Sequence, residues 1–148
     1  MTVPPAERWF EDYHVGMVDE FGEITVTADE IVEFATRYDP QPMHTTAKEL
    51  IASGWHTASM VMRLFVEHYL SQVATLPSPG LDELRWLRPV RPGDVLRVRV
   101  TVTEARRSRS KPDRGLLRTF LEAVNQDNEV VMTMRPMNFV QVRTPEAD

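Results

Sequence analysis

Two residue types that take part in proton transfer stand five positions apart in one proline-rich stretch of the chain. Asp39 supplies a carboxylate, and His44 supplies an imidazole, the side-chain type that titrates closest to neutral pH. Pro40 and Pro42 lie between them, and each proline fixes its own φ and lacks a backbone donor. We therefore expect a stiff loop, neither regular helix nor central strand, that holds a general acid–base pair.

A candidate oxyanion site follows a few residues later. The stretch Ile51–Trp55 places Ser53 and Gly54 directly before the longest apolar segment of the chain. The first amides of a helix have no partner inside the helix and carry a partial positive charge. If a helix begins here, these amides could stabilise a developing oxyanion.

The spacing by itself leaves a structural interpretation open. An Asp before a proline is a common end of a helix, and a single histidine is often structural rather than catalytic. On spacing alone, Asp39 and His44 are as consistent with a helix end and a packed histidine as with a catalytic pair.

Two helices must position these residues. Thr27 and Glu30 form a capping-box pattern that opens a short helix ending at Asp39. Its apolar face is expected to carry Ile31, Phe34, Ala35 and Tyr38. A longer helix runs from about Trp55 to Leu70 and is apolar around most of its circumference, which predicts that other elements wrap it. Its one polar stripe consists of Ser59, Arg63, Glu67 and Ser71.

The second half of the chain predicts strands. Apolar and polar residues alternate from Leu96 to Thr103 and again from Leu117 to Val124. A polar turn at residues 125 to 128 leads to a strand at residues 129 to 134 that resumes at 138, and Pro136 indicates a bulge or a sheet edge. One long apolar helix with a run of antiparallel strands predicts an α+β domain.

Length and composition exclude several functional classes. The 148 residues suit one domain, 1–148, with a core at about 8–143. A net charge of −5 argues against nucleic acid as a partner. The absence of cysteine excludes disulfides and a thiol nucleophile and favours a cytoplasmic location. The most apolar stretch, residues 55 to 76, is interrupted by charged side chains, so no membrane partner is expected.

Three ordered motifs resemble those of a known enzyme family. Residues 38 to 45, Tyr-Asp-Pro-Gln-Pro-Met-His-Thr, resemble the signature of MaoC-like dehydratases and the related (R)-specific enoyl-CoA hydratases. Residues 51 to 59 resemble the start of that family's central helix, and residues 84 to 94 resemble its strand and turn. The similarity covers about residues 8 to 143. It implies the hot-dog fold, an antiparallel sheet wrapped around one long central helix.

The resemblance also implies an activity and a set of site residues. It implies reversible hydration of a trans-2-enoyl thioester of coenzyme A or a carrier protein, without a cofactor or a metal. Asp39 and His44 would hold and activate one water, and the N–H of Gly54 would polarise the thioester carbonyl. A homodimer or higher homo-oligomer is expected. Substrate contacts are expected from Gln41, Ser53, Trp55 and Ser59.

Two departures from the family pattern stand in this sequence. Gln41 replaces the usual Asn, which keeps the amide on a longer side chain. Only nine residues separate His44 from Gly54, fewer than is usual in the family. Either part of the element that covers the acyl pocket is deleted, or residues are missing from this stretch. We favour missing residues, because the flanking segments match the family on both sides.

Alternatives remain for the function and for the other basic residues. A hot-dog acyl-CoA thioesterase and a non-catalytic acyl-thioester-binding subunit are the competing functions, and the order of Asp39 and His44 in the motif favours the hydratase. His56 is expected to be a helix residue without chemistry. The basic loop at residues 106 to 115 could bind coenzyme A phosphates, although a solvated hairpin is the simpler interpretation. The same question applies to Arg85, Arg88 and Arg91.

Overall fold

The computed structural model describes residues 3–144 as one antiparallel sheet with three α-helices. The five strands lie in the order β1-β3-β4-β5-β2, and every neighbouring pair is antiparallel. The strands are β1 Val18–Thr25, β2 Gly80–Trp86, β3 Val95–Arg107, β4 Arg114–Val124 and β5 Val130–Gln141. The helices are α1 Ala28–Tyr38, α2 Pro42–Thr45 and α3 Gly54–His68, preceded by 3-10 turns at Pro5–Glu7 and Phe10–Asp12.

The core lies between α3 and one face of the sheet. Alternate residues of β3 and β4 are buried, as the sequence pattern predicts, because successive side chains of a strand point to opposite faces. The α+β class and the sheet packed on a central helix are therefore confirmed. The buried strand residues include Leu96, Val98, Val100, Val102, Leu117, Leu121 and Ala123.

Helix α3 is buried along one face rather than wrapped on all sides. Its sheet-facing side chains are Met60, Val61, Leu64 and Phe65, all less than 5% exposed. The outer face carries Ser59, Arg63 and Glu67 of the predicted polar stripe, together with exposed Met62 and Val66. Ser71, expected in that stripe, lies beyond the helix, is buried, and donates to the Arg8 carbonyl at 2.6 Å.

Helix α1 begins and ends where the sequence indicates. The Thr27 hydroxyl accepts the Glu30 N–H at 3.2 Å, and Asp39 is the C-terminal cap. Ile31 and Ala35 are fully buried. Tyr38 lies on the predicted face, with its ring centroid 5.2 Å from that of Phe34, but it is 67% exposed, so the buried part of this face ends before it.

Pro42 and Pro136 occupy structural positions that differ from those predicted from the sequence. Residues Pro42–Thr45 form one helical turn, although the loop was expected to contain no regular helix. Pro42 is the first residue of that turn, where a missing N–H is not needed. Pro136 lies inside β5, which has neighbours on both sides, so it marks no edge. The bulge lies on β2, between Asp82 and Arg85.

Candidate active site

Asp39 and His44 face each other at the junction of α1 and α2. Asp39 Oδ2 lies 3.5 Å from His44 Nε2. The His44 side chain is 7% exposed and the Asp39 side chain 20% exposed. Because α1 ends at Asp39 and the single turn of α2 carries His44 back toward it, the predicted pair is formed by local chain geometry.

A backbone carbonyl fixes the orientation of the imidazole. His44 Nδ1 lies 2.6 Å from the carbonyl oxygen of Ile51. A carbonyl oxygen only accepts, so Nδ1 carries the proton and donates it. Neutral His44 therefore has its lone pair on Nε2, the nitrogen that faces Asp39.

Two side chains hold the Asp39 carboxylate in its charged form. The Gln41 amide donates to Oδ1 and the Ser53 hydroxyl donates to Oδ2, each at 2.7 Å. These hydrogen bonds, Gln41 first and Ser53 second, lower the pKa of Asp39, and His44 contributes in the same direction. Asp39 is therefore an ionised acceptor at neutral pH.

The first turn of α3 places an amide donor beside this pair. Ser53 is the N-terminal cap: its hydroxyl oxygen accepts the Trp55 N–H at 3.3 Å, and the residue is fully buried. Gly54 is the first helical residue, and its N–H has no hydrogen-bond partner within residues 3–144. The Trp86 indole N–H donates to the Gly54 carbonyl at 2.9 Å.

Two of these residues, His44 and Gly54, line a cavity of about 300 Å³. His44 and Gly54 lie on its wall, whereas Asp39 lies outside the wall and reaches the cavity through His44. The expectation that both catalytic residues face one cavity therefore holds for His44 alone. The remaining wall is mostly apolar and consists of Ile51, Ala52, Thr57, Trp86, Leu87, Arg88, Pro89 and Val90.

Comparisons with known proteins agree with this fold and these motifs. The family model described as MaoC like domain matches residues 13–124 of the chain. The chain belongs to this MaoC-like family. A MaoC-like dehydratase from Rhodospirillum rubrum has a similar structure, with a TM-score of 0.84 and 36% identity, over 93% of this chain and 99% of that chain.

Two further relatives of this MaoC-like chain are more distant. The R-hydratase PhaJ1 from Pseudomonas aeruginosa shares the fold, with a TM-score of 0.70 and 22% identity, over 95% of this chain and 92% of that chain. The uncharacterized protein YdeM from Bacillus subtilis (strain 168) is 26% identical over 124 residues, which are 78% of this chain and 86% of that protein. The hot-dog fold implied by the sequence motifs is confirmed.

None of the four expected substrate contacts lies on the cavity wall, and Ser53 is fully buried with its hydroxyl bonded to Asp39. Gln41 is exposed and bonds to Asp39. Trp55 is 59% exposed and meets the Trp86 ring edge-on, with centroids 5.2 Å apart, outside the cavity wall. Ser59 is exposed and donates to the Trp55 carbonyl at 2.7 Å, so the structure does not bring it to the site. Ser59 lies four residues after Trp55, which places both on the outer face of α3.

Sequence reasoning named only His44 and Gly54 of the cavity wall as site residues, and Thr57 and Trp86 are among those it missed. Thr57 lies three residues after Gly54, on the same face of α3, and helical periodicity could have identified it. Trp86 is the last residue of β2, and no local pattern indicates that it covers Gly54. Its position depends on pairing between distant segments of the chain.

The connection between His44 and Gly54 is short and continuous. The N–H groups of Thr46 and Ala47 donate to the Pro42 carbonyl at 3.0 and 2.9 Å, and the Ile51 N–H donates to the Met43 carbonyl at 3.1 Å. The expectation of missing residues is therefore wrong for this chain. A compact turn spans this connection.

His56 lies outside the cavity wall and packs against α1. Its ring stacks on Phe34 with centroids 5.0 Å apart and an interplanar angle of 13°. Burial lowers the pKa of His56, and its Nδ1 has no partner in the described part of the chain. These surroundings agree with the expectation of a packed helix residue without chemistry.

The basic loop lies far from the cavity of the same chain. The strand pairings place Trp86 of β2 at the same level of the sheet as Val98 of β3. The basic loop follows Arg107, which is nine residues further along β3. At ~3.3 Å per residue, this separation is roughly 30 Å. The cations also have acidic neighbours, which favours the solvated hairpin: Arg106 pairs with Glu104, Arg107 with Glu11 and Arg114 with Asp113.

One arginine of the second basic group reaches the cavity. Arg88 lies on the cavity wall and forms an ion pair with Glu129 at 2.9 Å, whereas Arg85 and Arg91 are exposed outside it. Between residues 3 and 144, no three His, Asp or Glu side chains are arranged to hold a metal ion. In the same range no helix is long and apolar enough to cross a membrane.

Replacing Gln41 with Leu should raise the pKa of Asp39. The Gln41 amide donates to the charged form of the carboxyl, so its removal favours the protonated form. A pH titration of the Asp39 carboxyl by carbon NMR measures this. Asp113, whose pKa is lowered by Arg114 in the distant hairpin, is the internal control and should keep its value. An unchanged or lower pKa of Asp39 in Gln41→Leu would contradict this account.

Proposed function

We propose that this protein catalyses the reversible hydration of a trans-2-enoyl thioester, carried by coenzyme A or a carrier protein, to the 3-hydroxyacyl thioester. The observation that carries the proposal is the Asp39–His44 pair, with 3.5 Å between Oδ2 and Nε2, beside a cavity that also exposes the Gly54 amide. Hydration of a conjugated thioester needs a base, an acid and an electrophile, and these three groups supply them.

One water bound between the pair is the nucleophile. Two acceptor atoms 3.5 Å apart leave room for a water about 2.8 Å from each, an ordinary hydrogen-bond length. His44 Nε2 and the Asp39 carboxylate take one proton from this water as its oxygen bonds to the β-carbon. The pair then delivers a proton to the α-carbon. Dehydration follows the same steps in reverse. Such acid–base assistance contributes about 10²–10⁴-fold in rate.

The Gly54 N–H stabilises the charge that develops on the thioester oxygen. As water adds at the β-carbon, the α-carbon and the carbonyl oxygen share negative charge in an enolate-like state. An amide at the first position of α3 has a free hydrogen and the helix dipole behind it. One donor of this kind contributes roughly 10²–10³-fold.

Relatives and composition support the finer parts of the proposal. The Rhodospirillum rubrum relative is described as a MaoC-like dehydratase and the Pseudomonas aeruginosa relative as an R-hydratase, which are the two directions of the proposed reaction. The proposed steps use only groups of the chain and the substrate, so no cofactor is part of the proposal. A cytoplasmic location is proposed because the chain contains no cysteine.

Removing either member of the pair should abolish most activity without unfolding the protein. Asp39→Asn removes the charge and keeps the size, and His44→Ala removes the imidazole. Each should lower kcat/KM for crotonyl-CoA hydration by at least about 10²-fold, measured as loss of enoyl absorbance. Their combined effect should be far less than the product, because both act on one water.

Asp113→Asn is the matched control for this experiment. It makes the same change in an exposed carboxylate of the distant hairpin and should leave the rate and the Tm unchanged. The catalytic assignment fails if Asp39→Asn retains its activity per folded molecule while its Tm falls. That pattern would mean that Asp39 only stabilises the loop.

We also propose that two copies assemble through β2. This strand is at one end of the sheet, so its outer backbone groups have no strand neighbour within the described chain. Leu81, Trp86 and Leu87 expose 46%, 44% and 53% of their surface along it. Pairing around a two-fold axis would join two sheets and cover these side chains.

Light scattering at micromolar concentration should therefore give the mass of a dimer. Leu81→Lys places a charge on the proposed contact and should shift the mass toward the monomer. Val15→Lys, a similar change at an exposed valine outside the sheet, should leave the dimer intact. A monomeric mass for the wild-type protein would refute the assembly.

A further inference from the structure

Trp86 covers the residue that carries the proposed oxyanion amide. Its indole N–H donates to the Gly54 carbonyl at 2.9 Å, and its ring atoms lie close to the Gly54 α-carbon. A methyl group added at Gly54 would lie 2.4 to 2.7 Å from three ring atoms of Trp86, closer than such contacts allow. Glycine at position 54 and tryptophan at position 86 therefore form one packed unit.

The indole is held from two sides. The hydrogen bond to Gly54 fixes one edge of the ring, and Trp55 meets it edge-on from outside at 5.2 Å, with an interplanar angle of 82°. These two contacts hold the Trp86 indole against Gly54 at the cavity wall.

Trp86 lies beside the position that the acyl group of a bound thioester must occupy. A thioester whose carbonyl oxygen accepts from the Gly54 N–H has the atoms next to its carbonyl carbon within reach of the indole. His44, Ile51, Leu87 and Val90 line the same cavity, which measures about 300 Å³.

We propose that Trp86 is the specificity-determining residue of the site and restricts it to short acyl groups. The inference rests on the proposed function, because it assumes that an acyl thioester occupies the cavity. Replacing the indole with a methyl group removes the wall beside Gly54 and opens the cavity toward Trp55 on the outer face of α3. Longer acyl chains then fit into the cavity.

Binding of two unreactive thioesters tests this inference without requiring turnover. Butanoyl-CoA and decanoyl-CoA lack the double bond, and calorimetry gives their Kd values. Wild type should prefer butanoyl-CoA. Trp86→Ala should lower the ratio of the two affinities by about tenfold or more, the scale on which a few methylene groups are discriminated in apolar pockets. Trp86→Phe keeps a ring and most of the volume, so it should lower the ratio by less and provides a variant that folds if Trp86→Ala does not.

Trp55→Ala is the control, because it removes an exposed indole that contacts Trp86 but lies outside the cavity wall. It loosens only one of the two contacts on Trp86, so it should lower the affinity ratio by much less than Trp86→Ala. The inference fails if wild type binds both thioesters equally, if folded Trp86 variants keep the wild-type ratio, or if Trp55→Ala changes the ratio as much as Trp86→Ala. If wild type binds neither thioester, the proposed function fails, and this inference fails with it.

Discussion

The site depends on one buried hydroxyl that joins its two halves. Ser53 Oγ donates to Asp39 Oδ2 at 2.7 Å and accepts the Trp55 N–H at 3.3 Å. Through this single atom, the carboxylate at the end of α1 is tied to the amide end of α3. A fully buried hydroxyl needs both partners, because an unsatisfied one costs about 1–3 kcal/mol. The spacing between acid–base pair and oxyanion amide is therefore a consequence of how α3 begins.

The sheet contributes the other side of the cavity through its last strand. The Ala52 N–H donates to the Val90 carbonyl at 2.8 Å, and Trp86 bonds to the Gly54 carbonyl at 2.9 Å. These two contacts hold the segment after β2 against the segment before α3. Because β2 is also an edge strand of the sheet, a second copy bound there would lie beside the same cavity. Trp86 and Leu87 would then belong both to the dimer contact and to the cavity wall.

Sequence reasoning located residues whose interactions are local in the chain and missed residues whose positions depend on distant segments. Asp39, His44 and Gly54 are close in the chain, and two short turns bring them together, so local rules and the family motifs located them. The structure places Trp55 and Ser59 outside the cavity wall, because the sequence alone does not fix the direction of α3 relative to the cavity. Trp86 was missed because its position depends on strand pairing. The short connection after His44 was interpreted as missing residues, although a compact turn spans it.

Isotope labelling of the reaction tests the central claim most directly, that Asp39 and His44 add one water across the double bond of an enoyl thioester. Crotonyl-CoA is incubated with the protein in D₂O enriched in ¹⁸O, and the products are analysed by mass spectrometry. The account predicts an intact 3-hydroxybutanoyl-CoA that contains one ¹⁸O on the β-carbon and one deuterium on the α-carbon. Free coenzyme A with ¹⁸O in a released carboxylic acid would identify a thioesterase and contradict the account. Unchanged crotonyl-CoA would contradict it as well.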